Sequence, residues 1–437
     1  MTDPTYDHGT LDMDVEIDIE TLGTFYEMAR EGAGVSADRL TRMTGIATRV
    51  GVTRLNFMRG RDLRATLAEG GQQAGIVVGL TGGFEGDSLL VYDAESAQLL
   101  VNELLEGVPV EGVDDIAESA LLEVSQVMTS GFVDGWAEVL DIPIDLQTPE
   151  YVSGSTAEPF VDAVRTVPRD DELALLFQNR IETLDDDIAF DHYFFPSGTA
   201  TEQLFGERTA DGLPLRKLIG FNHMAERGAD EVAQNLTTMT GIEMDVRIRR
   251  VNFRSLDTIP EEVPNERLIS VAFKFDGTPS GYLVFVYDAA AARRLVEATL
   301  PDADPDGISD MGRDAISEFS NVMASGFLDG WANVLGTTID HTTPHYVEDL
   351  GAAVVDPLVT SLSREQEFAF VYDTRIEAVA DAFDVSVYVV PTERSLYEAL
   401  ESLDPGRVFE APTTATYDYH DVDPDPEAVT DPEEVDR

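Results

Sequence analysis

The chain repeats itself, and that repeat limits what it can fold into more than any other feature. Phe25–Gly45 (FYEMAREGAGVSADRLTRMTG) returns as Phe221–Gly241 (FNHMAERGADEVAQNLTTMTG). Arg54-Leu55-Asn56-Phe57 returns 196 residues later as Arg250-Val251-Asn252-Phe253, and Val91-Tyr92-Asp93-Ala94 returns 195 later as Val286-Tyr287-Asp288-Ala289. Ser119–Leu140 matches Asp314–Leu335 at 14 of 22 positions. Arg180-Ile181-Glu182 and Pro196 return as Arg375-Ile376-Glu377 and Pro391. A spacing constant to one residue over most of the chain means that a whole domain was duplicated. The copies are expected at 19–210 and 211–403, after an acidic segment 1–18. The tail 404–437 is rich in Pro, Asp and Glu with no apolar period and is expected to be disordered.

Within each copy the pattern predicts a helix, three strands, two helices and a strand pair with helical punctuation. The opening helix places Phe25, Met28, Ala29, Leu40 and Met43 on one side. Leu55, Phe57, Ile76, Val78, Leu89 and Val91 lie in short β-favouring stretches broken by Gly. Long amphipathic helices are predicted over Asp114–Leu140 and Ser309–Leu335. Late strands are predicted over Glu172–Phe177, Ala189–Phe195, Glu367–Tyr372 and Val385–Val390. Strands and helices in segregated runs make the fold class α+β.

Charge narrows the function. The chain carries 84 Asp and Glu against 29 Lys and Arg, a net charge of −55, and Lys217 and Lys274 are its only lysines. A nucleic-acid or anionic-membrane surface needs clustered cations, so neither is an expected partner. The acids run through both halves, which fits a cytosol at molar salt, where screening shortens to about 3 Å; the sequence therefore predicts an extreme halophile. Cysteine is absent, which removes disulfides, thiol nucleophiles and Cys-based metal sites. The N-terminus lacks the basic-then-apolar order of a signal peptide, and no apolar run approaches the roughly 18 residues that span a bilayer. The expected location is cytoplasmic.

In the long helix of the second copy, Asp314, Glu318 and Asn321 stand at i, i+4 and i+7, one stripe of a helix. Phe319, Val322, Met323 and Phe327 form an apolar stripe on another side, so the polar stripe is expected to face solvent, where a partner protein could dock. Two acids and an amide on such a face are, most of the time, a solvated surface and nothing more.

The arrangement Asp314-x3-Glu318-x2-Asn321-x22-Pro344 resembles the signature of the CheC, CheX and FliY phosphatases: Asp or Ser, then Glu, then Asn, then a distant Pro. The segment Glu318-Phe-Ser-Asn-Val-Met-Ala-Ser-Gly-Phe-Leu-Asp is similar to that family's helix, and Glu27-Met-Ala-Arg-Glu-Gly-Ala-Gly to its first helix. The resemblance implies two such helices per domain, related by an internal pseudo-two-fold, and so four candidate sites. The first copy keeps the frame as Ser119-x3-Glu123-x2-Gln126-x22-Pro149, with Gln for the amide. The opening helices depart from it, with Glu27 and Arg30 in one copy and His223 and Glu226 in the other, and read as structural.

The family removes phosphate from the aspartyl phosphate of CheY-type response regulators, so the resemblance implies that this chain does the same. Such a regulator brings its own Mg²⁺ and Lys, so no cofactor or metal is expected from this chain. The phosphatase need only place a water in line. A carboxamide suits that task because it accepts a hydrogen bond from water and adds no charge beside the phosphate. The resemblance thus makes Asn321 the water-positioning residue and Glu318 the docking residue, with Asp314 at the rim and Pro344 fixing a nearby loop. Gln126, a methylene longer, implies a weak or inactive first site that still binds the regulator. CheC proteins also bind the deamidase CheD, a further partner the resemblance implies. The alternative reading is a non-catalytic docking module, because flagellar switch proteins share the fold without the amide.

Other motifs point to less. His341 and His345 beside Asp340 have metal-like spacing, but the local structure reads as strand or loop, and the first copy has Leu146 and Glu150 there. Gly32-Ala-Gly34 opens no strand-to-helix turn and is no phosphate loop. Met43-Thr44-Gly45 and Met239-Thr240-Gly241 read as helix ends with a Gly cap.

Overall fold

The computed structural model describes residues 19–68, 70–105, 115–170, 172–184, 188–205, 244–300, 308–378 and 384–403, with short pieces at 16–17, 213–214, 217 and 237–238. The expected tail 404–437, most of segment 1–18 and nearly all of the second copy's opening helix lie outside these residues.

In the first copy the order is α1 (Ile19–Thr44), β1 (Thr48–Arg59), α2 (Gly60–Ala68), β2 (Gln73–Gly82), β3 (Gly86–Asp93) and α3 (Ala94–Leu104). Then come α4 (Asp115–Leu140), β4 (Ile144–Leu146), β5 (Glu150–Gly154), α5 (Glu158–Ala163), β6 (Leu173–Thr183), β7 (Ala189–Pro196) and α6 (Gly198–Phe205). The second six elements repeat the first six in kind, with β4 and β5 together standing for β1. Across the sheet the order is β1, β6, β7, β3, β2 and then β4 and β5, so exchanging the two halves reverses the order without changing it. That is an internal pseudo-two-fold, and the fold is α+β.

The second copy follows with β8 (Met244–Ser255), β9 (Arg267–Gly277), β10 (Gly281–Asp288), α7 (Ala289–Thr299), α8 (Asp310–Leu335), β11 (Ile339–His341) and β12 (His345–Leu350). It ends with α9 (Asp356–Leu362), β13 (Phe368–Ala378), β14 (Asp384–Pro391) and α10 (Glu393–Ser402). Where the first copy has α2, this one has a 3₁₀ helix at Leu256–Glu262.

One antiparallel sheet of 14 strands runs through both copies, because β8 pairs with β1. The register sets Asn252 opposite Asn56, Val251 opposite Phe57 and Phe253 opposite Leu55. Asn56 and Asn252 are equivalent in the repeat, so the strands meet isologously about a second pseudo-dyad between them. Each copy thereby covers the inner edge that the other would leave open. Leu55, Phe57, Val251, Phe253 and Phe370 merge into one buried cluster across this seam. The hydroxyl of Tyr26 on α1 reaches Thr258 of the other copy at 3.5 Å.

The long helices lie on one face of the sheet. α1 crosses α4 closely: a Cβ at Gly32 would stand 2.8 Å from the Phe132 carbonyl oxygen, and one at Gly135 would stand 3.3 Å from the Gly32 Cα. Gly32 is therefore what lets the helices cross so closely, while a Cβ at Gly34 would meet nothing within 4 Å. Gly45 ends α1 at φ 75°, and its N–H donates to the Thr41 carbonyl at 2.8 Å. Trp136 and Trp331 anchor the two copies at matching depth, both fully buried. Truncating either to Ala would cost about 3–5 kcal/mol. Among the described residues, no helix is long and apolar enough to cross a membrane.

Candidate functional site

The second copy's site is built on α8. Its first turn is capped by Ser309, whose hydroxyl accepts from the Gly312 N–H at 3.2 Å, and it ends at Gly336 in the left-handed conformation, φ 64°. Ile316, Phe319, Met323, Phe327 and Trp331 are buried against the sheet, which fixes which side of the helix is left outward. Asp314 and Glu318 are exposed and Asn321 is half-buried. Val322, expected in the apolar stripe, is also only half-buried.

A buried hydrogen bond sets the rotation of this helix. The Tyr287 hydroxyl on β10 lies 2.7 Å from the Ser320 hydroxyl, directly before Asn321. The first copy repeats it as Tyr92 and Ser125 at 3.0 Å, directly before Gln126. Burial pushes both phenols well above the ordinary tyrosine range, so they stay protonated as hydrogen-bonding groups. The repeated Val-Tyr-Asp-Ala was visible in the sequence, but its link to the amide was not.

Beyond Asn321, the Ser325 hydroxyl donates to the main-chain carbonyl of Asn321 at 3.0 Å, one turn back along the helix, and lies 3.0 Å from His341 Nε2. His341 Nδ1 is 2.9 Å from the Thr342 carbonyl, and its ring stands edge-on to Phe273. His341 thus ends β11 in contact with the site helix, while His345 begins β12 and is exposed. Pro344, half-buried, sits in the turn between these strands. Among the described residues, no group of three or more His, Asp or Glu could hold a metal ion.

The flanking cations are already engaged. Glu348 on β12 takes Arg267 at 2.8 Å and Arg313 at 3.4 Å, and the Arg313 guanidinium lies over the Tyr346 ring. Burial, then the Glu348 charge, push the Tyr346 hydroxyl up to about 12. Among the described residues, neither Asp314 nor Glu318 is held in an ion pair, so both remain open to an incoming cation.

In the first copy Ser119, Glu123 and Gln126 are exposed on α4 and Pro149 is half-buried, the same frame. The Ser119 hydroxyl donates to the Asp115 carbonyl at 2.8 Å. Ser130, the counterpart of Ser325, is bonded by Arg39 of α1 at 3.0 Å, and Arg39 also pairs with Asp134. On α1, Glu27 and Arg30 form an exposed pair 3.5 Å apart. His223 and Glu226 lie outside the described residues.

The model of the CheC-like family matches residues 311–348, the stretch from the start of α8 through the Pro344 turn into β12. CheC1 of Halobacterium salinarum, itself named a candidate CheY-P phosphatase, is 35% identical over 197 residues, 44% of this chain and 98% of the relative. The chain belongs to the CheC-like family. The matched length in CheC1 is that of one copy of the repeat. The CheY-P phosphatase CheX of Thermotoga maritima is 33% identical over 78 residues, 18% of this chain and 50% of the relative. The crystal structure of Thermotoga maritima FliY covers 44% of this chain and 96% of its own at 18% identity, with a TM-score of 0.37.

Proposed function

We propose that this chain hydrolyses the aspartyl phosphate of a CheY-like response regulator, with the work done on α8. The observation that carries this reading is the outward stripe of Asp314, Glu318 and Asn321 on a helix whose rotation is fixed by packing and by the Tyr287–Ser320 bond. Its relatives are named as CheY-P phosphatases. Glu318, exposed and open, docks the regulator by accepting a charge-assisted hydrogen bond from its lysine or backbone. Asn321 is half-buried and so more restrained than its acidic neighbours, as a group that holds a water in line must be. Asp314 supplies contacts at the rim, and Pro344 stiffens the turn beside the helix. The regulator supplies its own Mg²⁺, and this chain contributes binding and water placement.

A second reading has its own support. α4 presents Ser119 and Glu123 as exposed as Asp314 and Glu318, but its amide is longer and, unlike half-buried Asn321, exposed, as a face that binds a regulator or CheD without turnover would have it. Phosphate release from a phosphorylated regulator in multimolar KCl separates the two. Release well above the regulator's own rate supports catalysis; binding with no acceleration leaves a docking module.

A further inference from the structure

Both candidate stripes carry a large apolar side chain at the same place. Met311 on α8 is 67% exposed and Ile116 on α4 is 55% exposed. The repeat that aligns Ser119 with Asp314 also aligns Ile116 with Met311, each directly after an aspartate, Asp115 or Asp310. Single apolar side chains on a surface are ordinary. Recurrence is not: among the described residues six large hydrophobics are exposed, and these two are the pair that the repeat makes equivalent. Val139 corresponds to half-buried Val334, and Leu350 to Ser155. The counterparts of Met43 and Leu184 lie outside the described residues.

Placement matters as much as exposure. Met311, Asp314, Glu318 and Asn321 stand at i, i+3, i+7 and i+10, within about 80° of arc and about 15 Å of helix. One partner's share of a standard interface is about 800 Å², roughly 30 Å across. A protein that brings a phosphoryl group to Asn321 therefore covers Met311 as well. Arg313, two residues on, is held by Glu348 and lies over Tyr346, so Met311 is an apolar point within a polar rim. Methionine is enriched in the cores of interfaces, and its unbranched chain fits irregular hollows. Salt gives a further reason. At the molar salt that the acidic composition predicts, screening shortens to about 3 Å, so the Glu318 charge holds a partner weakly, whereas apolar burial is not screened.

We infer that Met311 is the apolar anchor by which α8 holds the response regulator, and that Ile116 serves α4 in the same way. The inference rests on the reading above that these stripes face a regulator. The partner surface it calls for is an apolar hollow about 15 Å from the phosphoryl group, the distance along α8 from Asn321 to Met311. Neither anchor reaches the reacting atoms, so both set affinity and not chemistry.

The test is regulator binding in high salt, with beryllofluoride on the regulator's aspartate as a stable mimic of the phosphoryl group. Met311→Gln keeps the length and the helix propensity but not the apolar character, and affinity should fall about tenfold. Met311→Leu should bind as the wild type does. Val139→Gln, which removes an exposed apolar side chain on another side of α4 from Ile116, should change nothing. Raising KCl should shrink the deficit of Glu318→Ala and leave that of Met311→Gln in place. In phosphate release, Met311→Gln should raise KM about tenfold at unchanged kcat. Ile116→Gln should weaken binding and leave turnover as it was. Equal affinities for wild type and Met311→Gln, a loss that Met311→Leu shares, or a matching loss in Val139→Gln overturns the inference. An Ile116→Gln chain that binds like the wild type removes its α4 half. A smaller assembly for Met311→Gln in sedimentation, at unchanged regulator affinity, would assign the residue to contact between copies of this chain and overturn it too. A wild type that binds the regulator but releases no phosphate fails the proposed hydrolysis and leaves the affinity arms to decide this one; a regulator that does not bind at all overturns both.

Discussion

The two copies keep one frame and differ in the polar chemistry placed on it. Tyr92–Ser125 and Tyr287–Ser320 are the same bond, and Trp136 and Trp331 the same anchor. Under α4, however, the first copy buries Ser88, His192 and Thr129 together, with Ser88 2.8 Å from His192 Nε2. The second copy has Leu283, Val387 and Ala324 there. Asp87, fully buried, takes Arg165 at 2.8 Å and the Thr166 N–H at 3.0 Å, where the second copy has a neutral Tyr282–Ser361 bond at 2.9 Å. At these two places the second copy is apolar or neutral where the first is polar or charged, while the second copy buries Arg254 where the first has Met58. Duplication preserved the parts that orient the helix and left the rest free to diverge.

The largest effect on this contrast should come from removing the partly exposed Arg165 from the buried Asp87 in the first copy. Arg165→Ala leaves Asp87 charged without its cation and should cost about 3 kcal/mol. Tyr282→Phe at the equivalent place should cost about 1 kcal/mol. Denaturant unfolding in high salt measures both, and equal costs would break the contrast.

Acid should separate the copies next. Burial pushes His192 down to about 3 from the ordinary 6.5. Between those values the unfolded chain binds a proton that the folded chain refuses, so stability is full above pH 6.5 and declines as pH falls. The decline is about 1.4 kcal/mol per pH unit. His192→Val, which installs the second copy's residue, should remove this component from the difference between variant and wild type. The same acid slope in both proteins would contradict it.

Smaller effects concern the two faces. Glu318→Ala should weaken regulator binding and turnover together, since it removes a charge-assisted contact. Glu123→Ala should weaken binding with little effect on turnover. Gln126→Asn should raise phosphate release a few-fold by placing the amide as in the second copy. Stability should change by only about 0.5 kcal/mol in each, because these positions are exposed. No gain from Gln126→Asn would mean that α4 differs from α8 in more than one methylene.

Much of this was legible in the sequence. The repeat and the outward stripe on Ser309–Leu335 required only counting, and Ser309 and Gly336 bound the helix as capping residues do. The half-repeat inside each copy is absent from the residue identities: α1 and α4 each run 26 residues on the same face but share geometry and few side chains. The seam was hidden too, since Arg54-Leu55-Asn56-Phe57 reads as a strand whether it is an edge or a centre. The Ser325–His341 contact depends on the register of β11 on β9, which fixes where His341 points, and no local pattern encodes it.

The most direct measurement compares phosphate release by the wild type and Asn321→Ala at matched folding in multimolar KCl. If Asn321 places the attacking water, the variant should lose most of the acceleration, about 100-fold, while binding the regulator nearly as well, because the lost contact is made in the transition state. Equal rates for the two proteins would contradict the catalytic reading and leave the chain as a docking protein.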